Sequence, residues 1–247
     1  MMRRFLCAIV PLWLITVAVP PALAQDAAAA IKKAQFALGM IRGPQRIDAI
    51  NTMEYWGTGD KVTYHVGLSY LTPAMRVDVS RGNPAARQIQ VVNGNFAWNE
   101  SVPGAGFIPG TTAGPAPGAV KDRLLQLWST PHGALKVAER AGANARLTQE
   151  RGATVITFPL PDSLAGITMK VTLNAKNQVE KVETRGDTVT ETTYSDYKDI
   201  GEIESDVLFP SHIVQKQGGS TVLDLTITKT DANNPYVVFP VPANVAK

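Results

Sequence analysis

The chain has 247 residues, of which 24 are lysine or arginine and 21 are aspartate or glutamate, so its formal net charge is +3. It contains no block of basic residues with interleaved aromatics, and nucleic acid is therefore not an expected partner. The single cysteine, Cys7, lies near the N-terminus. The rest of the chain offers no disulfide, no cysteine nucleophile and no cysteine ligand for a metal.

The N-terminal residues have the pattern of a cleavable signal peptide. Arg3 and Arg4 precede an apolar run over 5–19, and a small-x-small site follows at 22–24. The alternative is a membrane anchor, which needs about 20 uninterrupted apolar residues, and prolines break this run. We expect a signal peptide over 1–24, a periplasmic or secreted location, and no transmembrane anchor after processing. Without the two arginines, 22 basic residues face 21 acidic ones, a net charge of +1.

The mature part, 25–247, is expected to form one domain, because no charged or serine-rich linker divides it. Asp26 is expected to cap a helix from Ala27 to about Met40, which Gly43 and Pro44 would end. The apolar period then changes from helical to two, which predicts strands with one buried face. The alternating apolar residues are Val62, Tyr64, Val66, Leu68, Tyr70, Met75, Val77 and Val79.

Two hairpins are predicted from their turn residues. Asn93-Gly94 separates strands over 88–92 and 96–100, and Gly218-Gly219 separates strands over 212–217 and 221–229. Both pairs accept the positive φ angles that tight hairpin turns require. In the second hairpin, Leu223, Leu225 and Ile227 share one strand face.

Residues 102–118 contain five glycines and four prolines, which predicts a long mobile loop without a helix or a ladder strand. A helix should follow, because Val120, Leu124, Leu127 and Trp128 form one stripe at helical spacing. Thr130-Pro131 should start a second helix, with Thr130 as N-cap and Pro131 in the first turn.

The C-terminal half returns to strands. Ile167, Met169, Val171 and Leu173 alternate with polar residues, and a turn at 175–177 should pair this strand with 179–184. Residues 188–197 are rich in β-branched residues but polar on both faces, which favours an edge strand or an exposed wall.

These elements predict a mainly β (α+β) fold in which a large antiparallel sheet curves into a half-open barrel under about three helices. So few helices should leave an apolar cavity against the sheet. The side chains expected to line it are the inward rows of the strands, the helical stripe and one aromatic residue of the loop. They are Tyr64, Val66, Met75, Val77, Phe107, Leu124, Trp128, Met169, Val171, Leu225 and Ile227.

Three segments carry a resemblance to a known family: residues 128–133 (WSTPHG), 193–199 (TYSDYKD) and 209–219 (FPSHIVQKQGG). They resemble parts of an exported domain found ahead of metallo-β-lactamase-fold hydrolases, over roughly residues 25–230. The strand plan of the same region is similar to that of periplasmic lipoprotein-sorting carriers of the LolA and LolB type, whose half-open barrel holds acyl chains. The resemblance implies a fold and an apolar ligand.

Catalytic chemistry is not expected. The chain ends at Lys247, and the zinc motif H-x-H-x-D-H of the hydrolases occurs nowhere in it. His65, His132 and His212 are far apart in sequence and each has an ordinary structural explanation, although a metal site assembled in space is an alternative. No G-x-S-x-G elbow, dinucleotide fingerprint or phosphate loop is present, so no cofactor is expected.

The sequence therefore predicts a non-catalytic exported protein that binds or carries an acyl chain, a lipid or a similarly apolar ligand. The alternative is an interaction module that docks onto an envelope protein or a metallo-hydrolase through an edge such as 188–197.

Overall fold

The computed structural model describes residues 22–43, 47–82, 86–186 and 188–247. Within these ranges there are three α-helices, α1 (Ala22–Ala37), α2 (Val120–Trp128) and α3 (Pro131–Ala141). Three short 3-10 helices cover Pro117–Ala119, Gly142–Asn144 and Asp162–Leu164. The strands, in chain order, are β1 (Ile41–Arg42), β2 (Ile47–Asp48), β3 (Thr52–Gly59), β4 (Val62–Ser69), β5 (Ala74–Arg81), β6 (Ala86–Asn93), β7 (Phe96–Glu100), β8 (Gly114–Pro115), β9 (Arg146–Glu150), β10 (Ala153–Pro159), β11 (Thr168–Leu173), β12 (Val179–Arg185), β13 (Val189–Lys198), β14 (Phe209–Gln217) and β15 (Ser220–Ala232).

Thirteen of these strands form one antiparallel sheet, in the order β8-β7-β6-β5-β4-β3-β15-β14-β13-β12-β11-β10-β9. The strands of each half follow one another as hairpins, and β15 joins the two halves by pairing with both β14 and β3. The sheet does not close, because β8 and β9 lie at its two edges. The prediction of a mainly β fold with one large open antiparallel sheet and three helices is confirmed.

The first helix differs from its prediction at both ends. It begins at Ala22, before Asp26, and it ends at Ala37. The amide of Met40 donates to the carbonyl of Gln35 and that of Gly39 to the carbonyl of Phe36, the pair of bonds that closes a helix in a Schellman motif. Gly39 has a φ of +70°, and a Cβ there would lie 1.9 Å from the Asp206 carbonyl oxygen. The left-handed turn at Gly39 therefore ends the helix before Gly43 is reached.

The second and third helices follow their predictions. Leu124, Leu127 and Trp128 of α2 are buried, as their helical spacing indicates. The Thr130 hydroxyl accepts a hydrogen bond from the amide of Gly133, and Pro131 is the first residue of α3. Thr130 is thus the N-cap, and Ser129 and Thr130 form the corner between the two helices.

The helices pack on one face of the sheet, which we call the inner face. The alternating residues of β4 and β5 from Val62 to Val79 lie on this face and are buried in the main core, as predicted. Met169, Val171 and Leu173 on β11 and Leu225 and Ile227 on β15 belong to the same core.

Both predicted hairpins are present. The Gly218-Gly219 turn has φ angles of +55° and +86° and joins the pair Gln217 and Ser220. In the other hairpin Asn93 pairs with Phe96, so the turn residues are Gly94 and Asn95, one position later than predicted.

The edge-strand alternative for residues 188–197 and the prediction that 102–118 holds no ladder strand are wrong. Strand β13 is hydrogen-bonded to β12 on one side and to β14 on the other, so residues 188–197 are not a free edge onto which a partner could add a strand. Two of its inner residues, Thr190 and Thr192, are threonines beside the inner Tyr194, and its outer residues meet water. In the loop over 102–118, Gly114–Pro115 does pair with Trp98 and Asn99 of β7. Proline is compatible with this position because β8 is an edge strand.

The outer face of the sheet carries a second, smaller core. Ile89, Val91 and Trp98 lie there with Ala74 and Ala113, covered by Val237 and Phe239 from the segment that follows β15. The side-chain amide of Asn93 donates to the Phe239 carbonyl at 2.8 Å, and that of Asn244 donates to the Ala113 carbonyl at 2.7 Å. This segment explains why Gly67 is buried, although it alternates with the apolar inner residues of β4.

The predicted signal peptide lies largely outside the described residues, which begin at 22. Among the helices of the described ranges, none has the length and apolarity needed to cross a bilayer.

His132, in the first turn of α3, is fully buried with its ring stacked on Phe209 at 5.8 Å between centroids. Within the described residues, neither ring nitrogen has a hydrogen-bond partner. Burial, together with the positive charge of Lys136, lowers the pKa of His132 from 6.5 to about 3. The folded protein therefore holds this ring neutral, whereas the unfolded chain protonates it below about pH 6.5.

Since the unfolded state binds the extra proton, the contribution of His132 to stability is complete above pH 6.5 and declines as the pH falls toward 3. Between pH 7.5 and pH 5 the wild type should lose about 2 kcal/mol through this group. His132→Phe should lose about 2 kcal/mol less, measured by urea unfolding at both pH values. His132→Leu controls for the ring stacking, and parallel pH curves for all three proteins would contradict the assignment.

Candidate functional site

The side chain of Arg123 fixes α2 to the sheet. Its guanidinium donates to the carbonyls of Val91 at 2.8 Å and Trp98 at 2.6 Å, and to the side-chain oxygen of Asn99 at 2.6 Å. Val91 and Trp98 are cross-strand partners on β6 and β7. Arg123 is buried, and its desolvation lowers its pKa. The guanidinium therefore ties one side of the helix to the first half of the sheet.

Two buried tyrosines fix the corner between α2 and α3. The Tyr194 hydroxyl of β13 donates to the carbonyl of Ser129 at 2.5 Å, and the Tyr70 hydroxyl is 3.0 Å from that of Thr130. Burial raises the pKa of both phenols, so both stay protonated. The corner is thus bonded to both halves of the sheet.

Between α2 and the inner face lies an open cleft of about 320 Å³. Its size is at the lower end of the range of small-molecule sites, about 300–1,000 Å³. Seven strands and α2 contribute to its walls. The lining residues are Tyr64, Val77, Val79, Arg81, Gln88, Gln90, Asp122, Leu125, Gln126, Ser129, Thr184, Thr190, Gln215, Gln217 and Leu223.

The cleft has an apolar floor and a polar rim. Val77, Val79, Leu125 and Leu223 supply aliphatic surface, and Tyr64 supplies an aromatic ring whose hydroxyl accepts from the amide of Gln126 at 2.7 Å. Burial raises the pKa of Tyr64 to about 12, so its hydroxyl is protonated at neutral pH. The combination suits a ligand with an apolar part and an uncharged or weakly charged polar part.

Beneath the floor, an aromatic group closes the space. Tyr55 and Phe209 contact each other with ring centroids 5.0 Å apart, and Tyr194 and Ile213 lie beside them. The remaining volume at this depth is about 30 Å³, room for one water molecule. The interior below the cleft is thus filled by the side chains of the protein itself.

The structure places the sequence-predicted site residues at three locations. Tyr64 and Val77 line the cleft. Phe107 is exposed in the loop over 102–118, beside the exposed Ile108 and apart from the residues that line the cleft. The others are buried in the main core: Val66, Met75, Leu124, Trp128, Met169, Val171, Leu225 and Ile227.

The glutamines and threonines of the rim were not singled out from the sequence. Strand β6 reads Gln88-Ile89-Gln90-Val91, and alternation alone places the glutamines on one face without identifying which face is inner. The segment after β15 covers Ile89 and Val91 on the outer face, and this leaves the glutamines on the inner one. A distant segment of the chain therefore decides the polarity of the site.

The three histidines lie apart. His65 bonds to Glu54 at 2.8 Å and stacks on Trp56, while His132 is in the core. Across the described ranges, no group of three or more histidine, cysteine, aspartate or glutamate side chains is arranged to hold a metal ion.

A Ser-His-Asp set does occur on the outer face. The Nε2 of His212 is 2.9 Å from an Asp224 carboxylate oxygen, and its Nδ1 is 3.5 Å from the Ser195 hydroxyl. The side chains of His212 and Asp224 are 43% and 64% exposed. Catalysis by such a set depends on oriented donors in a site that excludes water, and this set lies open to solvent. We interpret it as surface hydrogen bonding.

Comparison with protein families and with curated proteins gives no match. Among solved structures, the chain is similar to a LolA superfamily protein, NE2245 from Nitrosomonas europaea, with 14% identity and a TM-score of 0.41. The match covers 84% of this chain and 91% of that one. The comparisons show no relation to the domain that precedes metallo-β-lactamase-fold hydrolases. At this level of similarity the site must be understood from its own residues.

The role of Arg123 in positioning α2 can be tested by Arg123→Met. The substitution keeps much of the buried stem but removes the charged donor from the carbonyls of Val91 and Trp98. We expect the free energy of unfolding to fall by about 2–4 kcal/mol, because a hydrogen bond to a charged group contributes about 1.5–3 kcal/mol.

Urea unfolding measures the change. Lys121→Met on the exposed side of the same helix is the matched control and should change stability by less than about 0.5 kcal/mol. Equal effects of the two substitutions would show that the guanidinium does not hold α2 in place.

Proposed function

We propose that this protein is an exported, periplasmic or secreted binding protein that takes an acyl chain or similar apolar group into the cleft between α2 and the inner face of the sheet. The observation that supports the proposal is the cleft itself, an opening of about 320 Å³ with Val77, Val79, Leu125 and Leu223 on its floor. Burial of an alkyl chain on this floor is favourable by about 0.8 kcal/mol per methylene. Binding there needs no metal or charged anchor.

The volume of the cleft limits what can enter with α2 in its present position. A space of about 320 Å³ suits a short chain or the end of a longer one, and the aromatic group of Tyr55 and Phe209 closes the way further in. The proposal is therefore binding of one apolar end of a ligand whose remainder stays at the rim.

A binding role agrees better with this site than catalysis does. The lining contains one carboxylate, Asp122, and one guanidinium, Arg81, and its remaining polar groups are amides and hydroxyls. General acid and base catalysis needs a group whose pKa lies near the working pH. Among the lining residues, the tyrosine hydroxyl is held protonated and Gln126 is bonded to it.

Filling the cleft tests the proposal. Leu223→Trp adds an indole to the floor and should weaken binding of a dansyl-labelled undecanoic acid at least tenfold, as measured by its fluorescence. Val222→Trp is the matched control, because Val222 is the adjacent residue of β15, is 41% exposed and is not among the residues that line the cleft. It should change the dissociation constant less than about twofold.

Thermal unfolding of both variants measures whether the fold is kept. If Leu223→Trp is folded and binds the fatty acid as well as Val222→Trp does, the apolar group does not enter this cleft.

A further inference from the structure

The inner face changes character along two of its strands. On β6 the inner residues are Gln88, Gln90 and the buried Val92, and on β14 they are the buried Ile213, then Gln215 and Gln217. Most other inner residues in this part of the sheet are apolar or aromatic. Four glutamines therefore meet at the same opening from two distant strands of one sheet.

These amides are only partly engaged with the protein. Gln215 donates to the Thr192 hydroxyl at 3.4 Å, a long contact, and Gln126 donates to Tyr64. Among the described residues, the side chains of Gln88, Gln90 and Gln217 have no hydrogen-bond partner, and the hydroxyl of Thr190 faces the same opening. The rim thus carries carboxamides and hydroxyls that are free to bond to a ligand.

The rim carries no net charge. Arg81 on β5 and Asp122 on α2 are its charged groups and have opposite signs. Nearby Glu183 and Glu191 turn to the outer face, where Lys181 pairs with both. A headgroup with a full charge would lose its hydration here without gaining a matching cluster of opposite charge.

The backbone at the rim is not available to a ligand as a strand edge. Strand β6 is paired with β5 and β7, and β14 is paired with β13 and β15. An extended peptide cannot add to either strand by main-chain hydrogen bonds. Recognition at the rim must therefore use side-chain amides and hydroxyls.

We infer that the rim of glutamines and threonines binds an uncharged headgroup with several hydroxyl groups, such as a sugar or a polyol, joined to the apolar part that lies on the cleft floor. A hydroxyl both donates and accepts, so it matches both halves of a carboxamide and the threonine hydroxyls. Carboxylate and phosphate oxygens only accept, and an ammonium group only donates. The inference rests on the proposed function and adds the class of the headgroup.

The test compares ligands that share an octyl-length chain and differ in the headgroup. Calorimetric titration with n-octyl β-glucoside, octanoate and octylammonium, each below its micelle concentration, measures the three dissociation constants. We expect the glucoside to bind about tenfold more tightly than either ion. Glucose alone should bind far more weakly, because it lacks the chain.

The double variant Gln90→Leu and Gln215→Leu removes one amide from each wall. It should weaken glucoside binding about tenfold and change octanoate binding less than about twofold. The matched control is Gln149→Leu with Gln178→Leu, since both of these glutamines lie away from the cleft and bond to neighbouring residues. The control should bind all three ligands like the wild type.

The outcomes separate this inference from the function on which it rests. If either ion binds as tightly as the glucoside and Leu223→Trp still abolishes that binding, the headgroup assignment is overturned and the apolar cleft stands. The same holds if the double variant weakens all three ligands equally. If none of them binds the wild type, both proposals are overturned.

Discussion

The attachment of α2 and the α2–α3 corner to both halves of the sheet is the constraint on which the site depends. Arg123 bonds the helix to β6 and β7, and Tyr194 bonds the corner to β13. These partners are buried, so the contacts form in a setting where an unpaired acceptor is costly. The helix is consequently held at a fixed height above the inner face, and that height sets the depth of the cleft.

Two regions of the inner face result from this arrangement. Below the corner, the rings of Tyr55, Phe209 and His132 fill the space, and even a polar imidazole is kept neutral there. Beside α2, the inner face carries glutamine and threonine, and the cleft between the helix and the sheet stays open. The glutamines at the cleft are therefore separate from the buried core residues that stabilise the fold, whereas Tyr64, Val77 and Val79 belong to both the core and the cleft floor.

Much of the fold could be predicted from local patterns. The alternation over 62–79, the stripe on α2 and the Gly218-Gly219 turn each depend on neighbouring residues, and each is confirmed. Which strands lie next to each other is harder to predict from local patterns. The polar residues of β13 indicate an edge strand, but β13 pairs on both sides, and this pairing depends on distant strands. The apolar rows were expected to line a cavity, and most lie in the core. Alternation shows which residues share a face but not what covers that face, as Ile89 and Gln90 illustrate.

The most direct test of this account is to observe which glutamine side chains respond when a ligand binds. Side-chain amide signals of the protein, assigned by NMR, can be followed during titration with n-octyl β-glucoside. We expect shifts for Gln90, Gln126 and Gln215, which line the cleft, and none for Gln149 and Gln178. Saturable binding with shifts at Gln149 or Gln178, or with no shift at the cleft glutamines, would contradict a ligand site between α2 and the sheet.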